Sequence, residues 1–306
     1  DAGGHNQRGN KDIPKGPLFG SDEWNELFVF AMDEAQRLGL QMGFNIQSGW
    51  NLGGPRVTPE YTAKQIVFSE TRISGNKKIA EKLALPKIRR DFYKDIAVLA
   101  FPLSAGDKTS AFITDLDYKL GFHELGGSAP DCRFLLGNEP REGKTTEDKT
   151  SYIVKKDKII DLTSKMDTKG NLEWDAPEGE WNIIRFGYTC TGSHVSTSSG
   201  EWQGSVLDYM STEAFDFYWN DVVEPIFKAA GDYVGTTLKY METDSWECGG
   251  MNWTDKFAEE FVHYRGYDLM NYLPIVAGYI VNDIETSNAF LADFRKTLAD
   301  LVAYNH

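Results

Sequence analysis

Thr237-Leu-Lys-Tyr-Met-Glu-Thr-Asp-Ser-Trp-Glu-Cys-Gly-Gly-Met-Asn-Trp-Thr254 is the stretch whose reading decides the fold. It opens as a strand, with Leu238, Tyr240 and Thr243 mixing aliphatic, aromatic and β-branched residues. It then breaks into a loop that carries Asp244, Trp246 and Glu247. Two glycines follow, and Thr254-Asp255 reads as the cap of a helix. Carboxylates at the C-terminal end of a strand, beside a tryptophan, are where a (β/α) barrel keeps its chemistry. The same two acids equally fit plain solvation of a loop, since polar loops are where such residues collect.

Upstream, the same order of elements recurs. Ser21 starts a helix whose first turn holds Asp22 and Glu23 at the positive end of the dipole. Trp24, Leu27, Phe28, Ala31, Ala35 and Leu38 form an apolar stripe at helical spacing, and Gly39 ends it. Gln41 to Ile46 is then a short strand, followed by Gln47-Ser-Gly-Trp-Asn-Leu-Gly-Gly-Pro55. In a barrel this second glycine-rich loop shares a rim with Asp244 and Glu247. Trp50 can serve as a platform for a sugar face, with Asn45, Ser48 and Asn51 offering hydrogen bonds. A structural turn around a partly buried tryptophan is the competing reading.

Between about Ile66 and Gly192 the pattern changes to short β-rich runs: Ile96–Phe101, Ser110–Ile113, Ser151–Val154, Ile159-Ile160 and Trp181–Tyr188. Turn signals separate them at Gly106-Asp107, Lys169-Gly-Asn171 and Pro177-Glu-Gly179. Such runs predict an antiparallel sandwich. Helical spacing returns at Ser211-Thr-Glu213, with Pro225 expected to kink or interrupt that helix. Further helices are expected from Thr254 to Gly266 and from Thr286 onward. The expected class is therefore α/β, a partial (β/α)8 TIM-like barrel with an inserted antiparallel β-sandwich. Residues 1–66 begin the barrel, 67–192 form the insert, and 193–306 continue the barrel, truncated at the C-terminus. The chain opens abruptly on Asp1-Ala-Gly-Gly and stops at His306 inside a helical pattern, so both ends read as cut.

Composition narrows the partners. The chain has 306 residues and a formal net charge of −14, with 46 Asp+Glu against 32 Lys+Arg. No basic run offers a track for phosphates, which argues against nucleic acid. No apolar run is long enough to span a membrane. Cys132, Cys190 and Cys248 are far apart and odd in number, fitting neither a zinc site nor a disulfide framework.

Seven motifs in order resemble glycoside hydrolase family 106, the bacterial α-L-rhamnosidases. They are Gly16-Pro-Leu-Phe-Gly-Ser21, Ser48-Gly-Trp-Asn-Leu-Gly-Gly-Pro55, Val67-Phe-Ser-Glu-Thr71, Glu180-Trp-Asn-Ile-Ile-Arg-Phe-Gly-Tyr188, Asp244-Ser-Trp-Glu247, Arg265-Gly-Tyr-Asp268 and Thr297-Leu-Ala-Asp-Leu301. The resemblance implies a (β/α)8 barrel with β-sandwich elements, an inverting mechanism and a Ca2+ ion near the sugar. It implies Glu247 as general acid and Asp244 as its acidic partner, with the second carboxylate expected beyond His306. Asp244 and Glu242 offer oxygen ligands suited to calcium, but no ligand set maps onto this sequence. The implied substrate is an oligo- or polysaccharide, and the implied location is periplasmic, cell-surface or secreted in a bacterium. A non-catalytic carbohydrate-binding protein on the same scaffold, or a glycosidase for another sugar, remains open, because fold and acid placement do not set the substrate.

Overall fold

The structure, a computed structural model, describes residues 16–47, 50–103, 112–121, 153–195, 202–244 and 249–305. Helix α1 (Asp22–Arg37) leads into strand β1 (Met42–Asn45). Then follow β2 (Gly53–Gly54), β3 (Lys64–Ser74), β4 (Lys77–Lys82), β5 (Lys94–Pro102), a short α2 (Leu116–Lys119), β6 (Ile160–Asp161), β7 (Asn171–Ala176), β8 (Glu180–Cys190) and β9 (Ser205–Val206). Helices α3 (Thr212–Tyr218) and α4 (Glu224–Ala230) return the chain to β10 (Leu238–Glu242). Helices α5 (Phe257–Arg265) and α6 (Ile284–Asn305) complete the described chain.

Local chemistry accounts for most of the helix ends. Ser21 caps α1, its hydroxyl accepting from the Trp24 amide at 3.2 Å. Gly39 ends that helix at φ +70°, a conformation only glycine takes without strain. Ser211 caps α3 in the same way through the Ala214 amide. A π-helical turn over Trp219–Val223 joins α3 to α4. Pro225 stands at the start of α4, directly after that turn, so the α-helical pattern is interrupted just ahead of it, as expected. The expected cap at Thr254 is not formed. Helix α5 starts at Phe257 without a side-chain cap, and the Thr254 hydroxyl instead donates to Asp208 at 2.8 Å. A buried carboxylate has the stronger claim on that donor, since leaving its oxygens bare in the interior costs more than a bare helix end in water.

Strands β1 and β10 pair in parallel, with Phe44 opposite Met241 and Asn45 opposite Glu242. Helix α1 packs on α4 beside them. This is the βα order read from the sequence. The closed eight-stranded barrel is not formed: among the described residues this two-stranded ladder is the whole of the parallel sheet. Each added parallel strand needs a crossover of a dozen or more residues. The chain devotes its middle to antiparallel pairing, and after β10 its described residues run through α5, a 3-10 turn at Met270–Ile275 and α6 without a further strand.

The antiparallel part is a four-stranded sheet in the order β3-β8-β5-β6 and a separate β4-β7 pair. The two share a small core of Ile73, Ile79, Leu83, Val98, Leu172, Trp174, Trp181 and Ile183. The other side of the larger sheet contributes Ile66, Phe68, Leu99, Phe101, Ile184 and Phe186 to the main core, which also takes Phe257, Phe261, Phe290 and Phe294 from α5 and α6. The expected runs at Ile96 and Trp181 lie in β5 and β8. Strands β3, β4 and β7 carried no expectation. In β7 the exposed–buried alternation is complete, but only Leu172, Trp174 and Ala176 face inward, too short a run to stand out beside the Lys169-Gly-Asn171 turn. The Ser110–Ile113 and Ser151–Val154 runs lie partly outside the described residues. Their described ends, Phe112 and Val154, bridge to Tyr279 and Val281 rather than joining either sheet.

Candidate active site

The two loops singled out in the sequence follow strands that run side by side in the same direction, so both leave the same end of the parallel pair. Their described residues meet there. The side-chain oxygen of Gln47 accepts from the Asp244 amide at 2.6 Å. The nitrogen of the same Gln47 amide lies 3.5 Å from the Tyr209 hydroxyl. That hydroxyl also accepts from the Leu52 amide at 2.7 Å. Tyr209 is 3% exposed and belongs to the segment entering α3, so three separate parts of the chain converge at one point.

Each expected site residue has a distinct place. Asp244 is half-buried just past β10. Asn45 ends β1, is exposed, and its side-chain oxygen accepts from the Gln47 amide at 2.8 Å, turning the chain into the loop. Trp50 is 45% exposed, with a large apolar ring open to solvent. Asn51 is fully buried. Ser48, Trp246 and Glu247 lie outside the described residues. Of the other carboxylates, Glu242 is exposed at the end of β10, opposite Asn45. Glu70 lies on β3, where it accepts from the Tyr279 hydroxyl at 3.3 Å, and it shares none of the Gln47 contacts.

Behind the loops, the Tyr218 hydroxyl donates to the Ile46 carbonyl at 2.6 Å. Burial pushes this phenol well above its ordinary range, so it stays a neutral donor. Gly53 and Gly54 take φ of +147° and +144°. A Cβ on Gly53 would stand 2.1 Å from the Ser205 carbonyl oxygen, so only glycine lets β2 approach β9 and hold the far end of the Trp50 loop. Sequence reasoning missed Gln47, Tyr209 and Tyr218 as parts of this region. Gln47 stood in the quoted loop without a chemical signal of its own, and the tyrosines sit more than 150 positions away with no motif attached.

Deeper, where the antiparallel strands join the helices, Lys64 and Asp208 form an ion pair at 3.3 Å with side chains 1% and 0% exposed. Lys64 also donates to the carbonyls of Glu60 at 2.6 Å and Thr62 at 3.2 Å. Asp208 accepts from the Met210 amide and the Thr254 hydroxyl. Desolvation raises the Asp208 carboxyl above its usual range, opposed by Lys64 and these donors. Both ions are saturated with protein partners, which fits a structural joint rather than a reacting group. Among the described residues no three His, Cys, Asp or Glu side chains gather as a metal site. No described helix is long and apolar enough to cross a membrane.

Residues 6–306 match a family model described as alpha-L-rhamnosidase, that of glycoside hydrolase family 106. A protein of Formosa agariphila that carries the provisional name beta-glucuronidase is 40% identical over 297 residues, covering 96% of this chain and 24% of its own length. A rhamnosidase structure from Novosphingobium sp. PP1Y superposes with a TM-score of 0.77 at 24% identity, covering 96% of this chain and 40% of that one, a likeness of fold. The chain thus spans about a quarter of the curated relative and two fifths of the solved structure.

Proposed function

The chain belongs to glycoside hydrolase family 106, and from that membership we propose that the protein removes terminal α-L-rhamnose from oligo- or polysaccharides with inversion at the anomeric carbon. The observation that carries this reading is the family match over residues 6–306, with the Asp244-Ser-Trp-Glu247 motif standing directly after β10.

In the proposed reaction Glu247 donates its proton to the glycosidic oxygen as the bond from that oxygen to the anomeric carbon breaks. A second carboxylate, about 6.5–9.5 Å across the site, takes a proton from a water that attacks the opposite face. We place that base in the part of the longer relatives that this chain does not span. A general acid must remain protonated at working pH, so its pKa has to be raised by burial or by a neighbouring negative charge. Asp244, three residues earlier, supplies that charge. Trp50, open to solvent, supplies an apolar face for a sugar ring, and Asn45, Ser48, Asn51 and Trp246 are the further residues proposed to bind the sugar. The wider scaffold is proposed to be a (β/α)8 barrel begun by β1 and β10, with the antiparallel sheets as an inserted sandwich. A calcium ion near the sugar, with Asp244 and Glu242 among its candidate oxygen ligands, belongs to the same proposal, and no step of the reaction is routed through it. A polysaccharide substrate fits a bacterial enzyme that works outside the cytoplasm.

The name of the Formosa agariphila relative favours a second reading, hydrolysis of a β-glucuronide. Assays of the full-length protein on aryl α-L-rhamnoside and aryl β-D-glucuronide separate the two. Turnover of neither, with retained glycan binding, would leave the non-catalytic binding protein. For the acid, Glu247→Gln is expected to lower turnover by at least about 10²-fold on substrates with poor leaving groups and by much less on activated aryl glycosides. Near wild-type rates on both substrates would remove Glu247 from the mechanism. Asp244→Asn is expected to lower the pKa of the acid, so the alkaline limb of the pH–rate profile moves to lower pH while the acidic limb stays.

A further inference from the structure

The Gln47 side chain hydrogen-bonds directly between the two loops, accepting from the Asp244 amide. Its geometry also settles which way its amide points. The Asp244 backbone nitrogen can only donate, so the Gln47 atom 2.6 Å from it is the oxygen. The amide nitrogen then faces the Tyr209 hydroxyl at 3.5 Å. The Gln47 backbone is fixed in turn by the Asn45 side chain at 2.8 Å, and Tyr209 is fixed by the Leu52 amide at 2.7 Å. The end of β1, the Trp50 loop, the segment entering α3 and the start of the acidic loop are therefore tied through one uncharged amide.

From this geometry we infer that Gln47 is a positioning residue for the reaction: it sets where the Asp244 backbone, at the start of the acidic motif, sits relative to the end of β1 and to Leu52. The inference rests on the proposed glycosidase reading for its effect on turnover, but not for the coupling itself. Gln47 has no titratable proton at working pH, so it does not act as acid, base or nucleophile. Its contribution is geometric, and misplacing a reacting group by about an ångström can cost on the order of 10²-fold in rate. Asp244 is the carboxylate proposed above to keep the acid protonated, so a shift of its backbone changes the charge which that acid feels.

The test compares Gln47→Ala and Gln47→Glu in the full-length protein. Alanine removes the acceptor of the Asp244 amide. Glutamate keeps the acceptor and adds a negative charge beside the acidic loop. Gln47→Ala is expected to lower kcat about tenfold or more with KM within about threefold and little change in Tm. Gln47→Glu is expected to recover most of that loss, and its alkaline limb should move to higher pH, because an added carboxylate raises the pKa of a neighbouring acid. A residue that merely stabilises the fold would lower Tm in both variants and leave the pH limbs in place. Hydrogen exchange at the Asp244 amide reads the coupling without turnover: it should quicken in Gln47→Ala and not in Gln47→Glu. Wild-type kcat in the alanine variant, or equal exchange in both variants, overturns the inference. If wild-type protein turns over neither aryl glycoside, the glycosidase reading fails while exchange still decides the role of Gln47. Should the alanine variant not fold, Tyr209→Phe and Gln47→Glu carry the test, and unchanged kcat and pH limbs in both overturn it.

Discussion

Lys64 carries a charge with 1% of its side chain exposed, and Asp208 opposite it has none exposed. Such a pair adds little net stability compared with a well-packed apolar pair, yet removing one partner alone leaves an uncompensated buried ion. Lys64→Met is therefore expected to destabilise by about 3–5 kcal/mol in urea unfolding, and Lys64→Met with Asp208→Leu should cost much less than the sum of the two single changes. Additive costs in that cycle would show that the pair is not coupled. Gly53 makes a similar point in backbone terms. Gly53→Ala places a Cβ against the Ser205 carbonyl at a φ of +147°, and is expected to cost about 1–3 kcal/mol and to loosen the Trp50 loop. Neither role was legible in the sequence, where Lys64 carried no signal and Gly53 stood only as part of a glycine-rich loop. Their roles depend on segments more than 140 positions away.

At the scale of elements, helix ends were largely readable because capping is local. Ser21, Ser211, Gly39 and Gly266 each act within a few residues of their own position. Ser211→Ala is expected to cost about 1 kcal/mol independently of pH. Helix α6 offers a contrast. Asp283 accepts from the Thr286 amide at 2.6 Å, and that bond together with the Thr286 side chain holds its carboxyl below the ordinary range. A depressed folded pKa stabilises the fold above the unfolded value and is lost as pH falls through the folded value. The Tm gap between wild type and Asp283→Ala should accordingly be full near neutrality, shrink below the ordinary aspartate value near about 3.9, and vanish at lower pH. A gap constant through that window would mean the cap works without its charge. Thr254 was misread as a cap because its competing partner, Asp208, is distant in the sequence.

At the scale of the whole molecule, the parallel pair is thinly covered. Tyr240 is 60% and Met241 49% exposed on β10, and Leu27 and Phe30 on α1 are 54% and 62% exposed. Parallel sheets are normally buried on both faces, and exposed apolar surface of this kind favours association. Residues 1–306 produced alone are expected to bind an apolar dye such as ANS and to self-associate at high concentration, and Tyr240→Lys with Met241→Lys should reduce both. A chain of 306 residues that stays monomeric and dye-free would show that this surface needs no cover. The same two substitutions in the full-length protein should lower stability, if longer relatives bury this surface as the proposed barrel requires.

The sequence by itself determined the family, the βα order at both ends, the β-rich middle and the acidic loop after β10, because these rest on motifs, periodicity and capping that act over short distances. Only the tertiary structure decided which distant residues complete those features. It paired β1 with β10 in register, placed Tyr209 against Gln47, buried Asn51, and drew Thr254 from a helix cap to a buried carboxylate. The physical reason is that a hydrogen-bonding side chain takes whichever partner folding brings near it, and burial decides which of those bonds is most costly to leave unmade.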